Sequence, residues 1–190
     1  MSTWTKQKLG DLIDFIDGDR GKQYPKQEEF SDSGGCLFLS TKNVPNIRFD
    51  FTEKMFISAE RDAKLRKGKL KRGDYVLTTR GTVGNFAYFG NNVGFENVRI
   101  NSGMVILRKK SDKLENEYLQ YYLMSPSFSG QTKSRVSGSA QPQLPIRDML
   151  SMEVMLPNNA TQTRIAYVLS AYDDLIENNE KRIKALEEMA

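Results

Sequence analysis

The side chains able to do chemistry in this 190-residue chain are cations, hydroxyls, carboxylates and amides, because histidine is absent. Without imidazole, Ser-His and Cys-His catalysis, histidine metal ligation and the commonest general base are all excluded. Gly18-Asp19-Arg20-Gly21-Lys22-Gln23 has neither the spacing nor the hydroxyl of a phosphate-binding loop, so ATP hydrolysis is not expected. Asp50 with Asp62-Ala63-Lys64 has the outline of a metal-nuclease triad. Asp62 and Lys64 fall on a predicted helix, however, where residues two apart do not share a face. The chain has neither a glycine-rich adenosylmethionine loop after a strand nor an Asn-Pro-Pro or Asp-Pro-Pro methylation motif. Its one cysteine, Cys36, cannot build an internal disulfide or a zinc site, and its apolar setting makes it inert packing in a reducing compartment. No catalytic residue, metal ligand or cofactor is expected.

The remaining chemistry is polar contact with a polyanion. Lys plus Arg number 28 against 24 Asp plus Glu, and the C-terminal stretch carries much of the acid, so the rest is more basic than the net charge of +4 suggests. The densest cations run from Lys64 to Arg72 and include Lys67 and Lys69. They suit phosphates, although cations also favour a solvated helix C-terminus. Arg80-Gly81-Thr82-Val83-Gly84 is a side-chain-poor loop in which Arg80 could make a bidentate guanine contact, or a plain hairpin turn. Ser40-Thr41-Lys42-Asn43 ends a predicted strand, and Arg99, Asn101 and Ser102 interrupt another. The loop from Asp17 to Ser33, with Arg20, Lys22, Tyr24 and Lys26, is either a solvated connection or a basic surface. Ser137 to Pro145 contains two prolines and a glycine, so it is irregular and presents Ser139 and Gln141. The candidate DNA-binding set is Lys22, Lys42, Asn43, Lys67, Lys69, Arg72, Arg80, Thr82, Arg99, Asn101, Ser139 and Gln141.

The elements that position these residues are short. A strand or turn and one or two helical turns are expected over Trp4 to Ile16, with strands at Cys36–Leu39, Tyr75–Thr79, Phe86–Phe89, Arg99–Leu107 and Glu153–Leu156. Ser58 caps a helix that Gly68 closes, and Glu117–Met124 is a helix ended by Ser125-Pro126, with Tyr118, Leu119, Tyr122 and Leu123 inward. Asn158 or Thr161 caps a long last helix. There Ile165, Leu169, Tyr172, Ile176, Asn179, Ile183, Leu186 and Ala190 follow steps of four and three, the repeat of a coiled-coil seam. Asn179 on that seam is a pairing specifier, and Glu177–Lys181 and Glu180–Lys184 support the exposed face. A terminal helix docked on its own domain is the alternative to a projecting arm about 40 Å long. The helix reaches Ala190 without a closing Gly or Asn, so its tip frays or the chain is part of a longer one.

Several segments together resemble the specificity subunits of type I restriction-modification enzymes. They are the 137–145 loop, Met152 to Pro157, Gln162-x-x-Ile165-Ala166 and Asp173-Asp174-Leu175-Ile176-Glu177-Asn178-Asn179. Lys67-Gly68-x-Leu70-x-x-Gly73-Asp74, Arg80 to Gly84, and Trp4 with Leu9-Gly10-Asp11 fit the same family, so the resemblance spans essentially the whole chain. It implies an α+β fold: a target recognition domain over residues 1–157 with a twisted mixed β-sheet and short helices, then a coiled-coil helix over 158–190. It further implies a non-catalytic, cytoplasmic subunit that binds double-stranded DNA and directs modification (methyltransferase) and restriction subunits to half of a bipartite target. A second specificity unit would join through antiparallel helices, as a homodimer or as the other half of a longer chain. The competing readings are a coiled-coil adaptor that binds only protein and a metal-dependent nuclease. The longest apolar run falls short of a membrane span.

Overall fold

The computed structural model describes residues 4–138 and 141–189. Strand β1 (Thr5–Lys8), the single turn α1 (Leu9–Leu12) and β2 (Ile13–Asp17) follow one another directly. Next come β3 (Cys36–Leu39), β4 (Phe56–Ile57), α2 (Ala59–Lys64), β5 (Asp74–Thr78), β6 (Phe86–Phe89), β7 (Val98–Ile100) and β8 (Met104–Lys109). The chain continues through α3 (Asn116–Met124), α4 (Pro126–Arg135), α5 (Ile146–Leu150), β9 (Glu153–Leu156) and α6 (Asn159–Met189). This is the expected α+β fold with a long C-terminal helix. Among the described residues, pairing is divided between a four-stranded antiparallel sheet (β2-β8-β5-β6), a mixed sheet (β4-β3-β7) and a β1-β9 ladder. No described helix is long and apolar enough to cross a membrane.

The apolar runs of β3, β5 and β8 follow from layering, since strands covered on both faces lose the apolar-polar alternation. Tyr75, Leu77, Val105 and Leu107 point to a core shared with α1, α3 and α5, while Val76, Met104 and Ile106 point the other way, onto Leu37, Leu39 and Ile100. Cys36 and Phe38 on the far side of β3 pack with Leu65, Tyr24 and Phe30. Helices, sheet, sheet and a covering loop with α2 are thus stacked in that order.

Three expectations needed revision. The segment read as one strand from Arg99 to Leu107 is two: Asn101 accepts a hydrogen bond from the Gly103 N–H (2.9 Å), and that turn moves the chain from the mixed sheet into the antiparallel one. The helix capped by Ser58 (Arg61 N–H to Oγ, 3.1 Å) ends at Lys64, not at Gly68. Gly68 instead takes φ +80° in the return turn, where its Cα faces Gly18 and Ile100. Ser125-Pro126 ends α3 but also starts α4, because Pro at the first helical position needs no donor and Ser125 accepts from the Phe128 N–H (3.2 Å).

Candidate nucleic-acid interface

Strand direction decides which loops share an end of the molecule. β6 and β8 run antiparallel to β5, β2 runs antiparallel to β8, and β3 runs parallel to β7. The exits of β2, β3, β5 and β7 therefore come out together, beside the entries to β6 and β8. The backbone ties these loops to one another. Asn101 N–H donates to the Leu39 carbonyl (3.0 Å), and the Thr79 and Arg80 N–H groups donate to the Gly103 carbonyl (2.8 and 3.2 Å). Arg20 bonds the Ser102 carbonyl (3.2 Å) and Asp17 (3.1 Å). Leu144 N–H donates to the Thr79 carbonyl (3.0 Å), and Ser137 and Gln143 exchange backbone bonds, so Gln143 and Ser137 stand beside Arg80. Asp19 accepts from the Arg66 N–H (2.7 Å), which brings Lys67 to the same edge. Burial pushes the Asp19 carboxyl up, but the N–H donors of Arg66, Lys67 and Arg20 outweigh it and hold it below its usual range.

Of the predicted residues, Lys22, Lys42, Lys67, Arg80, Thr82, Asn101 and Gln141 belong to this loop cluster. Lys22, Lys42, Lys67, Thr82 and Gln141 are exposed; Lys42 pairs with the exposed Glu53 (3.1 Å). Arg80 is half-buried, and its Nε is buried without a hydrogen-bond partner among the described residues. Ser139 lies outside the described residues. Arg20, Thr41 and Ser102 stand in the cluster as well and were left out of the predicted set.

The other four are engaged in holding the fold. Asn43 is buried, bonding the Asp50 and Glu53 carbonyls (2.9 and 2.7 Å). Arg72 sits at the opposite end of β5 from Arg80, roughly 25 Å away at strand rise. Its guanidinium stacks 4.4 Å over the Phe89 ring and bonds the carbonyls of Gly90, Val93 and Phe95. Arg99, 7% exposed, bonds the Asp62 carboxylate and the carbonyls of Asp62, Leu65 and Lys67, and Lys69 reaches the same carboxylate (2.5 Å). Burial raises the Asp62 carboxyl, but the Lys69 and Arg99 contacts override it and bring it to about 2. The neighbouring Cys36 thiol is pushed up to about 12 by burial and by that carboxylate, which suits inert packing. Asp62 is thus committed to cations, and Asp50 to Thr52 (2.6 Å). Among the described residues no cluster of carboxylates or thiols is suited to a metal.

Helix α6 has two differently used faces. Asn158 caps it, accepting from the Thr161 N–H (2.9 Å). Gln162 is fully buried, donating to the carbonyls of Lys113 and Pro157 (2.8 and 2.9 Å) and accepting from the Glu115 N–H (2.9 Å). Ala166 is buried, Asp173 accepts from the Tyr121 hydroxyl (2.9 Å), and Glu177 lies 4.0 Å from Arg48. Burial and the Asp173 contact push the Tyr121 hydroxyl up to about 12. At 100° per residue the seam lies about a quarter turn from this docked face. Ile165 packs partly on the core, but Leu169, Tyr172, Ile176, Asn179, Ile183 and Leu186 are exposed, Tyr172 by 62% and Leu186 by 64%. The helix thus docks on its own domain by its first turns, as the docked alternative expects of the whole, and leaves residues 178–189 exposed all round. The seam position at Ala190 lies outside the described residues.

The type I restriction modification DNA specificity domain model matches residues 1–188. The chain is 33% identical over 199 aligned residues to the type I restriction enzyme MjaIX specificity subunit of Methanocaldococcus jannaschii, covering 98% of this chain and 42% of that protein. It is 27% identical to the MjaVIII specificity subunit of the same organism, covering 97% and 43%. The HsdS subunit of Thermoanaerobacter tengcongensis shares the fold, with a TM-score of 0.66 at 22% identity over 94% of this chain and 39% of that one. The chain spans about two-fifths of the length of these relatives. Its loop cluster, its docked helix and a match along nearly its whole length place it in the type I restriction modification DNA specificity domain family.

Proposed function

We propose that this chain reads one half of a two-part duplex DNA target for a type I restriction-modification enzyme and contributes no chemistry of its own. The observation that carries this reading is the convergence of Arg20, Lys22, Lys42, Lys67 and Arg80 with Thr82, Asn101 and Gln141 on one end of the two sheets. Exposed lysines supply phosphate contacts that hold register, and Arg80, Asn101 and Gln141 supply donors and acceptors suited to base edges. Ser139 remains a candidate by its place between Gly138 and Gln141 in the sequence. Arg80 is the favoured base reader, since its half-exposed side chain ends in a fork of donors and its buried Nε has no partner among the described residues that would fix the fork elsewhere.

Residues 1–157 act in this reading as the recognition unit and 158–190 as the strut. The exposed seam around Tyr172, Asn179 and Ile183 pairs antiparallel with a second specificity unit, and modification and restriction subunits join the cytoplasmic assembly. A helix of about 40 Å spaces two reading heads by about one DNA turn of 34–36 Å.

The test begins with methylome sequencing of cells carrying the chain with its modification partner, which supplies the target. Binding to cognate and scrambled duplex is then measured across a salt series. Arg80→Ala should cost about 1–3 kcal/mol on cognate duplex and relax one base pair, whereas Lys22→Ala should weaken both duplexes alike and reduce the salt slope by about one. Equal losses on both duplexes from both variants would remove Arg80 as a reader. Binding that ignores salt and duplex would favour a protein-only adaptor.

A further inference from the structure

A groove of about 890 Å³ runs between β6 and helix α6. Ile47, Tyr88, Met124 and Ile176, from four separate stretches, all line it and are 45%, 38%, 40% and 56% exposed. A lone exposed apolar side chain needs no explanation, but four converging in one concavity mark an interaction surface. One wall is α6, where Asp173, Glu177 and Glu180 line the groove at a spacing that puts three carboxylates in one row. Three carboxylates thus face Arg48 among the lining residues, and although Lys181 also pairs with Glu177 (2.7 Å) the groove keeps an acidic balance where the loop cluster is basic.

The backbone of β6 adds a second, independent feature. β6 is an edge strand. Thr78 N–H donates to the Asn85 carbonyl (2.8 Å), so ladder alternation gives the bonds to β5 to Ala87 and Phe89 and turns the peptide groups of Phe86 and Tyr88 outward. The Phe86 N–H is taken by the Asn46 carbonyl (2.9 Å), while the outward N–H and C=O of Tyr88 have no backbone partner among the described residues. An unpaired strand edge is a template for another strand.

We propose that this groove binds an extended segment of a partner protein in which lysine or arginine alternates with large apolar residues, added as a strand alongside β6 at Tyr88. The period of two in a strand puts the apolar side chains on one face, toward Ile47 and Met124, and the cations on the other, within reach of the acidic row. Duplex DNA, a polyanion, is repelled from the same wall, so the site is independent of the loop cluster.

The test uses the full chain and a short fluorescent synthetic peptide alternating lysine and valine. Three companions are compared: a glutamate-for-lysine peptide, a peptide N-methylated along one edge, and the Glu177→Gln, Glu180→Gln double variant, which removes both charges without setting a further cation beside Arg48 and Lys181. The lysine peptide should bind and protect the Tyr88 amide from exchange. Charge reversal in the peptide, or charge removal in the groove, should weaken it about tenfold, which is about 1.4 kcal/mol, and N-methylation should abolish it, with duplex binding by the double variant unchanged. Equal binding of the glutamate peptide, unchanged binding by the double variant, or protection away from Tyr88 would each overturn the proposal. So would sedimentation showing that Ile47→Asp dissolves a dimer of this chain, because a second copy would then fill the groove.

Discussion

Replacing Asp62 with asparagine tests the buried ion network most directly. In the fold the Lys69 and Arg99 contacts hold its carboxyl at about 2 against a usual 3.8, a difference worth on the order of 2 kcal/mol. Asparagine also leaves the guanidinium of Arg99, 7% exposed, without its counter-charge, and breaking a buried pair from one side costs about 3–5 kcal/mol in all. Because the folded value is depressed, the stabilisation is fully present above about pH 4 and is lost as pH falls through about 2. Urea unfolding followed by circular dichroism at several pH values should therefore show wild type ahead of Asp62→Asn by about 3–5 kcal/mol at pH 7. The gap should narrow by about 2 kcal/mol between pH 5 and pH 2, since asparagine has no proton to take up. A gap under about 1 kcal/mol at pH 7, or one that does not change with pH, would refute the assignment of Arg99 and Lys69 to this network.

Gly68→Ala should lower stability by about 2 kcal/mol in thermal melts, since the residue holds φ +80° and a Cβ would stand 3.2 Å from the Gly18 Cα. Gln162→Leu strands the Lys113 and Pro157 carbonyls and the Glu115 N–H; a loss of at least about 2 kcal/mol, with faster amide exchange over residues 159–170, is expected. Ile183→Glu should abolish helix pairing in sedimentation, whereas Asn179→Leu should strengthen it while losing a unique register.

The sequence made local structure legible wherever it carried a periodic or capping signal. Ser58, Asn158 and the inner face of α3 are where propensity and spacing put them, because those signals act within a turn. Pro126 misled, since a residue that stops one helix is equally suited to begin the next. The candidate site was half legible for a different reason. Arg72 and Arg80 look equivalent in sequence, yet they flank one strand and so face opposite ends of the sheet. Arg99 reads as a polar interruption suited to DNA until Asp62, 37 residues away, is seen to be its partner. The convergence of Arg20, Thr41 and Ser102 depends on which strands run parallel, a long-range choice that no local pattern records.

Gln162 gives α6 a fixed root, and a rigid rod rooted at one end is a lever. From Gln162 to Met189 is about 40 Å, so a swivel of only 5° at the root would carry the tip by roughly 3–4 Å, more than half a helical turn. The Tyr121–Asp173 bond, with Arg48 beside Glu177 one turn further on, acts as a stay partway along and leaves about 18 Å unbraced. Cutting both contacts, as Tyr121→Phe with Arg48→Ala would, leaves the helix braced as far as the buried Ala166 and nearly doubles the unbraced length, to about 35 Å, without touching the tip. Small strains in the loop-bearing body can in this way become ångström-scale displacements at its far extremity.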